Sequence, residues 1–313
     1  MYKKIGLIIC LICVVQCRAS FSSILKDKNY DGFYFSISSI DSLPTIVLEV
    51  GTHPFKDSNK RKLRFVIDTG SNLSLLNKNK FPELEKSQVL QMQLKSLNSY
   101  SDIKYSEIFL DVFQEESIIF ENKKFIATQF PEFFQFDGII GNNLLSEFDL
   151  VLNFPKSIYF LKKNRLISLS DHGFNGTPIR FIENYIVVDT YIDGLKKKNF
   201  LLDTGSGLSF IVQNEAEEKE FRSGRRSRYF DSLGNISTTE TRIAKIGCIL
   251  SKENCFNNPE FLTGKNTFHL NTLKNENITG LIGMNWLEKN EIVISYSEKK
   301  IYYKKKKKIC TYD

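Results

Sequence analysis

The chain has 313 residues, 42% of them apolar and 25% charged, with a formal net charge of +7 at neutral pH. That composition is ordinary for a folded globular protein, the length is enough for two domains, and a disordered or fibrous chain is excluded. Part of the excess charge sits in residues 1–19: without Lys3, Lys4 and Arg18 the net charge is about +4, too mild to imply a nucleic-acid partner.

Residues 1–19 read as an export signal, with Lys3 and Lys4 ahead of the apolar run Ile5 to Val15 and small residues before Ser20. Eleven apolar residues are too few to span a bilayer. Two processing routes are open. Cleavage after Ala19 uses Cys17 and Ala19 as a small-x-small site and gives a secreted or periplasmic protein. The alternative treats Val14-Val15-Gln16-Cys17 as a relaxed lipobox, with a signal of residues 1–16 and lipid on Cys17 tethering the chain to a membrane, although Gln16 stands where a small residue is usual.

Beyond a short polar lead, Phe33 to Ile40 and Leu43 to Val50 show the alternation and short apolar runs of strands. Thr52 to Arg61 is a polar loop, and Leu63 to Ile67 is a strand that delivers Asp68. From Phe65 the chain reads Phe-Val-Ile-Asp-Thr-Gly-Ser-Asn-Leu-Ser-Leu-Leu. A hairpin is predicted over Gln88 to Phe113, with its polar turn at Ser96 to Asp102, starting 28 residues after Asp68. Then comes Gly138-Ile139-Ile140-Gly141-Asn142-Asn143-Leu144-Leu145, a short helix over Asn142 to Glu147, and a closing hairpin of Leu150 to Phe154 with Ser157 to Leu161.

The second half repeats this plan. After a polar linker at residues 164–177, Tyr185 to Tyr191 supplies a strand, and Phe200 begins Phe-Leu-Leu-Asp-Thr-Gly-Ser-Gly-Leu-Ser-Phe-Ile, with Asp203 135 residues after Asp68. A turn at Ser232-Leu233-Gly234-Asn235 starts 29 residues after Asp203, and Gly280-Leu281-Ile282-Gly283-Met284-Asn285-Trp286-Leu287 matches the first octet. Gly141 to Val151 and Gly283 to Val293 are both 10 residues, which supports duplication of one unit. The domains read as 33–163 and 178–303, followed by a basic tail at 304–313 whose Lys304 to Lys308 run is a solvated end.

A carboxylate at the end of a buried strand is costly unless it is hydrogen-bonded or functional. Gly70 and Gly205 permit a tight turn in which a backbone N–H reaches the carboxylate, and the Ser71 and Ser206 hydroxyls are placed to donate to it as well. If the two turns face each other, Asp68 and Asp203 come within a few ångströms, cannot both ionise, and share one proton. Such a pair can activate a water molecule.

On these four elements each half resembles an aspartic protease of the pepsin and retroviral protease clan, whose apolar-apolar-Asp-Thr/Ser-Gly turn is followed by an apolar-apolar-Gly element. The resemblance covers roughly residues 44 to 161 and 178 to 303. It implies an all-β, two-lobe fold built from two duplicated retropepsin-like β-barrel lobes around a central cleft. It further implies an endopeptidase in which Asp68 and Asp203 are catalytic and hold a water between them. Thr69 and Thr204 would bond across the lobe interface, and hairpin tips would form flaps over a peptide or protein substrate. Flap candidates are Ser96, Leu97 and Tyr100 in the first lobe and Ser232, Leu233 and Gly234 in the second. Serine hydroxyls donating to the aspartates imply an acidic optimum. The expected state is a monomer without cofactor. Two rival classes use the same chain differently: a silent relative that holds a peptide without cutting it, and a membrane-tethered scaffold using lipidated Cys17 and the Lys304 to Lys308 run.

The remaining chemistry is sparse. In an oxidising compartment Cys248 with Cys255 is the expected disulfide, which leaves Cys310 over. His53, His172 and His269 are scattered without ligand spacing, so no metal site is expected, and the same scatter weighs against a Ser-His-Asp hydrolase.

Overall fold

The structure, a computed structural model, describes residues 32–305 except 41–42, 53–59, 83–87, 96–99, 155–156, 163–168, 193–195, 213–220, 231–235, 250–254 and 265–276. The export signal, Cys17, Cys310, His53 and His269 therefore lie outside the described residues. The first half forms β1 (Gly32–Ser36), β2 (Ser38–Ile40), β3 (Leu43–Thr52), β4 (Arg61–Ile67), β5 (Leu75–Asn77), β6 (Leu90–Lys95), β7 (Tyr100–Gln114), β8 (Ser117–Thr128), β9 (Gly138–Ile140), β10 (Phe148–Asn153) and β11 (Ser157–Lys162). The second half forms β12 (Asn175–Pro178), β13 (Arg180–Ile182), β14 (Tyr185–Ile192), β15 (Lys196–Leu202), β16 (Ser209–Val212), β17 (Phe221–Phe230), β18 (Ile236–Ala244), β19 (Ile246–Ile249), β20 (Cys255–Asn257), β21 (Glu260–Gly264), β22 (Ile278–Ile282), β23 (Asn290–Ser295) and β24 (Lys300–Lys305). The all-β, two-lobe architecture expected from the sequence is the one that forms.

The last three residues of each strand that delivers an aspartate, Phe65 to Ile67 and Phe200 to Leu202, are apolar because both faces are covered there. Phe65 and Ile67 on β4 point into the large core shared by the lobes, while Val66 points into a second cluster with Leu75 and Ile139. In the other lobe Phe200 and Leu202 enter the shared core and Leu201 the opposite cluster. Each such side chain contributes about 1.5–3 kcal/mol by leaving water, which is why the pattern is a continuous run rather than an alternation.

Pairing repeats strand by strand. In the first lobe β3–β4, β7–β8, β5–β9 and β3–β7 are antiparallel and β4–β9 and β5–β8 parallel, so the six strands close on themselves. In the second lobe the matching contacts are β14–β15, β18–β21, β16–β22 and β14–β19, with β15–β22 and β16–β21 parallel. The long β7 of the first lobe corresponds to β18 and β19 together, interrupted at Lys245.

A third sheet runs beneath both lobes in the order β1-β11-β10-β23-β24-β12. At its centre Val151 pairs with Val293, flanked by Leu150 with Ile294 and Leu152 with Ile292. These valines are the residues 10 positions past Gly141 and Gly283, so the internal symmetry counted from the sequence places its axis between them.

Two boundaries differ from the sequence reading. At the end of the interval read as a linker and running into the next domain, Asn175–Pro178 is a strand paired with β24, because its extended polar backbone completes the edge of the shared sheet. The first lysines of the basic tail, Lys304 and Lys305, are strand residues opposite Glu291 and Asn290.

Cys248 and Cys255 are direct cross-strand partners on β19 and β20, and their sulfurs are bonded. The pair closes a short loop, so replacing both by Ala is expected to cost about 2 kcal/mol, read as a lower denaturant midpoint without change in slope.

Candidate active site

Each aspartate enters its turn directly from a parallel strand pair. The Asp68 N–H donates to Ile140 O at 3.0 Å and the Asp203 N–H to Ile282 O at 2.9 Å, so the apolar-apolar-Gly strands β9 and β22 hold the backbone from behind. The helical turns that follow fasten the other side: Asn142 N donates to Ser71 O and Met284 N to Ser206 O, both at 2.8 Å. Ser74 Oγ accepts from Gly141 N at 3.0 Å and donates to Asn143 Oδ1 at 2.8 Å. Ser209 Oγ accepts from Gly283 N at 3.0 Å and donates to Asn285 Oδ1 at 2.8 Å. A twice-repeated Leu-Ser two residues past the turn, and an Asn two past the glycine, are the sequence signals for this clamp; the sequence reading gave them no role.

The two turns lock through the buried threonines. Thr69 Oγ1 donates to Leu202 O at 2.8 Å and accepts from Thr204 N at 3.1 Å, while Thr204 Oγ1 donates to Ile67 O at 2.6 Å and accepts from Thr69 N at 3.0 Å. Each hydroxyl uses its one proton and one lone pair, so the unit is fully satisfied without water.

This lock brings the carboxyl groups face to face. Gly70 N donates to Asp68 Oδ1 and Gly205 N to Asp203 Oδ1, both at 2.8 Å, and the two carboxyls are within hydrogen-bonding reach of each other. The glycines serve a second purpose. A Cβ on Gly70 would lie 2.4 Å from Asp203 Cγ, and one on Gly205 2.3 Å from Asp68 Cγ, so any side chain there would push the opposite carboxyl away.

Burial raises both acids. Asp203 is held well above the ordinary carboxylate range by burial first and then by the negative charge of Asp68. Asp68 is also raised by burial, but the Gly70 N–H, the hydrogen bond from Asp203 and the Ser71 N–H oppose the rise. Two carboxyls this close, both raised by burial, disfavour ionising together.

Ser71 and Ser206 act differently from expectation. Their hydroxyls donate to Leu73 O at 2.8 Å and Leu208 O at 2.7 Å, closing the turn two residues on, and only their backbone N–H groups bear on the aspartates. A hydroxyl with one proton cannot serve both acceptors, and the local carbonyl wins.

Tyr185 is a neighbour the sequence reading placed only in a strand. Its phenol is pushed up to about 12 by burial, then by the charges of Asp68, Glu183 and Asp203, so it stays neutral beside the pair. Register finds it: β14 pairs with β15 at Val187 and Leu201, and two further steps set Tyr185 opposite Asp203. The same count in the first lobe gives Leu43 opposite Asp68.

Of the flap candidates, Ser96, Leu97, Ser232, Leu233 and Gly234 lie outside the described residues. Tyr100 opens β7 as the cross-strand partner of Lys95, so the turn is shorter than Ser96 to Asp102. Among the described residues no group of three or more His, Cys, Asp or Glu comes together to hold a metal ion.

No protein-family model matches the sequence, and no curated protein matches it. Among solved structures the chain is similar to the crystal structure of an aspartic proteinase from Irpex lacteus, with a TM-score of 0.53 and 13% identity over 88% of this chain and 97% of the other. The fold is that of a pepsin-like aspartic proteinase.

Proposed function

We propose that the chain is an aspartic endopeptidase that hydrolyses peptide bonds with a water molecule activated between Asp68 and Asp203. The observation that carries this reading is the pair of facing carboxyls, held by the threonine lock and both raised by burial. One carboxylate takes a proton from the water as it attacks the scissile carbonyl. The protonated partner donates to the carbonyl oxygen, and the roles then reverse to protonate the leaving amine. No covalent intermediate forms. Tyr185, neutral and beside the pair, offers an O–H to a bound peptide.

Activity needs the singly protonated pair, so its pH profile is a bell. The alkaline limb follows loss of the Asp203 proton. Since burial holds that proton well above the ordinary range, the active window is expected to extend above about pH 4–5, in place of the acid optimum argued from serine hydroxyls. Peptide-library cleavage from pH 3 to pH 8, with a statine-type transition-state mimic as inhibitor, checks this. A profile lacking an alkaline limb rejects the shared proton, and absence of cleavage by folded mature protein moves the reading to a peptide-binding relative.

We further place the protein outside the cytoplasm, on the signal-like residues 1–19 and a disulfide that suits an oxidising compartment. The mass of the mature N-terminus separates cleavage after Ala19 from lipidation of Cys17.

A further inference from the structure

The pseudo-twofold symmetry that relates the lobes is broken at one buried pair of positions behind the aspartates. Asn142 follows Gly141 as Met284 follows Gly283, and Phe154 and Tyr296 each lie 13 residues past those glycines. One crossing of the axis is thus Asn142 with Tyr296 and its counterpart is Met284 with Phe154, all four buried.

Only the polar combination reaches the site. Tyr296, from the second lobe, donates its hydroxyl to Asn142 Oδ1 at 2.7 Å, and Asn142 Nδ2 donates to Thr69 O at 2.6 Å. A carbonyl can only accept, so the amide orientation is fixed: the nitrogen faces Thr69 and the oxygen is left for the tyrosine. The Thr69 carbonyl belongs to the same peptide group as the Gly70 N–H, which donates to Asp68 Oδ1. The chain Tyr296, Asn142, Thr69–Gly70 peptide, Asp68 is a run of hydrogen bonds aligned in one direction, and aligned bonds polarise one another. In the second lobe Met284 has nothing to donate, and among the described residues no donor reaches the Thr204 carbonyl.

We propose that Asn142, held by Tyr296 of the other lobe, is a positioning residue that polarises the Thr69–Gly70 peptide and makes Asp68 the member of the pair that carries the negative charge. Asp203 then carries the proton. The charged and titratable groups around the device are few. Asp149 lies behind Tyr296 and is occupied by Ser297 N at 3.2 Å and Ser297 Oγ at 2.8 Å, and Tyr185 faces the aspartates. Burial and the Asp149 charge keep the Tyr296 phenol protonated, so its donation persists across the working range. That Asp68 is the base that takes the proton from water rests on the proteolytic reading above; the placement of the charge does not.

The test is titration of the mature protein labelled with carboxyl-carbon-13 aspartate, followed by NMR, with Asp68→Asn and Asp203→Asn assigning the two signals. In the parent chain Asp68 is expected to take the larger share of the first deprotonation. In Asn142→Met with Tyr296→Phe, which copies the second lobe, that first step moves upward by about half a pH unit and its share shifts toward Asp203. Tyr296→Phe alone, which keeps the amide and protects the fold, moves it in the same direction by less. The reverse graft, Met284→Asn with Phe154→Tyr, narrows the difference between the two signals. An unmoved first step in both Tyr296→Phe and the double variant, or a parent chain in which Asp203 ionises first, overturns the proposal. The acid limb of the cleavage profile should move with the NMR titration. A shifted titration without any cleavage would sink the protease reading and leave the charge placement standing.

Discussion

Asp203→Asn is expected to reduce peptide cleavage by about 10³-fold or more and, at the same time, to raise the melting temperature at pH 7. The amide keeps the shape of the protonated acid and its N–H can still donate to Asp68, but it can neither release nor recover a proton. The stability gain follows from the direction of the shift. Both carboxyls are held above their ordinary range when folded, so near neutral pH the folded chain binds more protons than the unfolded one. The stability linked to the pair is fully present below the unfolded value near pH 4, and is lost as pH rises through the folded value. An uncharged amide never undergoes that loss. Variant and parent should melt together near pH 3 and separate as pH rises, by roughly 3 °C for each kcal/mol relieved. Cleavage retained above about a tenth of the parent rate, or a variant that melts lower at pH 7, would contradict the buried shared proton.

Thr69→Val should be strongly destabilising for so conservative a change. Valine matches threonine in shape, so no cavity forms, but the donor to Leu202 O and the acceptor for Thr204 N both vanish at a fully buried position. Two stranded backbone groups cost about 2–4 kcal/mol, or a melting point about 5–15 °C lower. Cleavage should fall by about 10²-fold even in the surviving folded fraction, because the lock sets the spacing of the carboxyls. Thr69→Ser keeps both bonds and is expected to lose about 1 kcal/mol or less. Thr69→Val combined with Thr204→Val should cost less than the two separately, since either one already opens the four-bond unit. Additive losses would mean that the threonines act independently.

Local pattern carried most of the architecture. The apolar runs before Asp68 and Asp203, the paired apolar-apolar-Gly octets and their equal spacing to Val151 and Val293 were readable because burial on both faces leaves a run with no polar interruption. The linker was misread since Asn175 to Pro178 owes its strand character to β24, a partner more than 120 residues away that no local window contains. The serine hydroxyls were assigned by proximity in sequence, whereas the choice between the carboxylate and the Leu73 or Leu208 carbonyl depends on turn geometry. Tyr185 required register, and Asn142 with Tyr296 required knowing that two positions 154 residues apart meet across the lobe boundary.

The pairing of Val151 with Val293 also bears on the order in which the fold closes. β23 follows every strand that carries or backs an aspartate, and its docking on β10 brings the second lobe's final hairpin against the first. Contacts this distant in sequence close late, after both lobes have ordered. β23 therefore adds the last of the contacts that join the lobes, after the residues of the threonine lock have already been made. A chain cut short before β23 would lack the strand pairing that ties the two lobes into one continuous sheet.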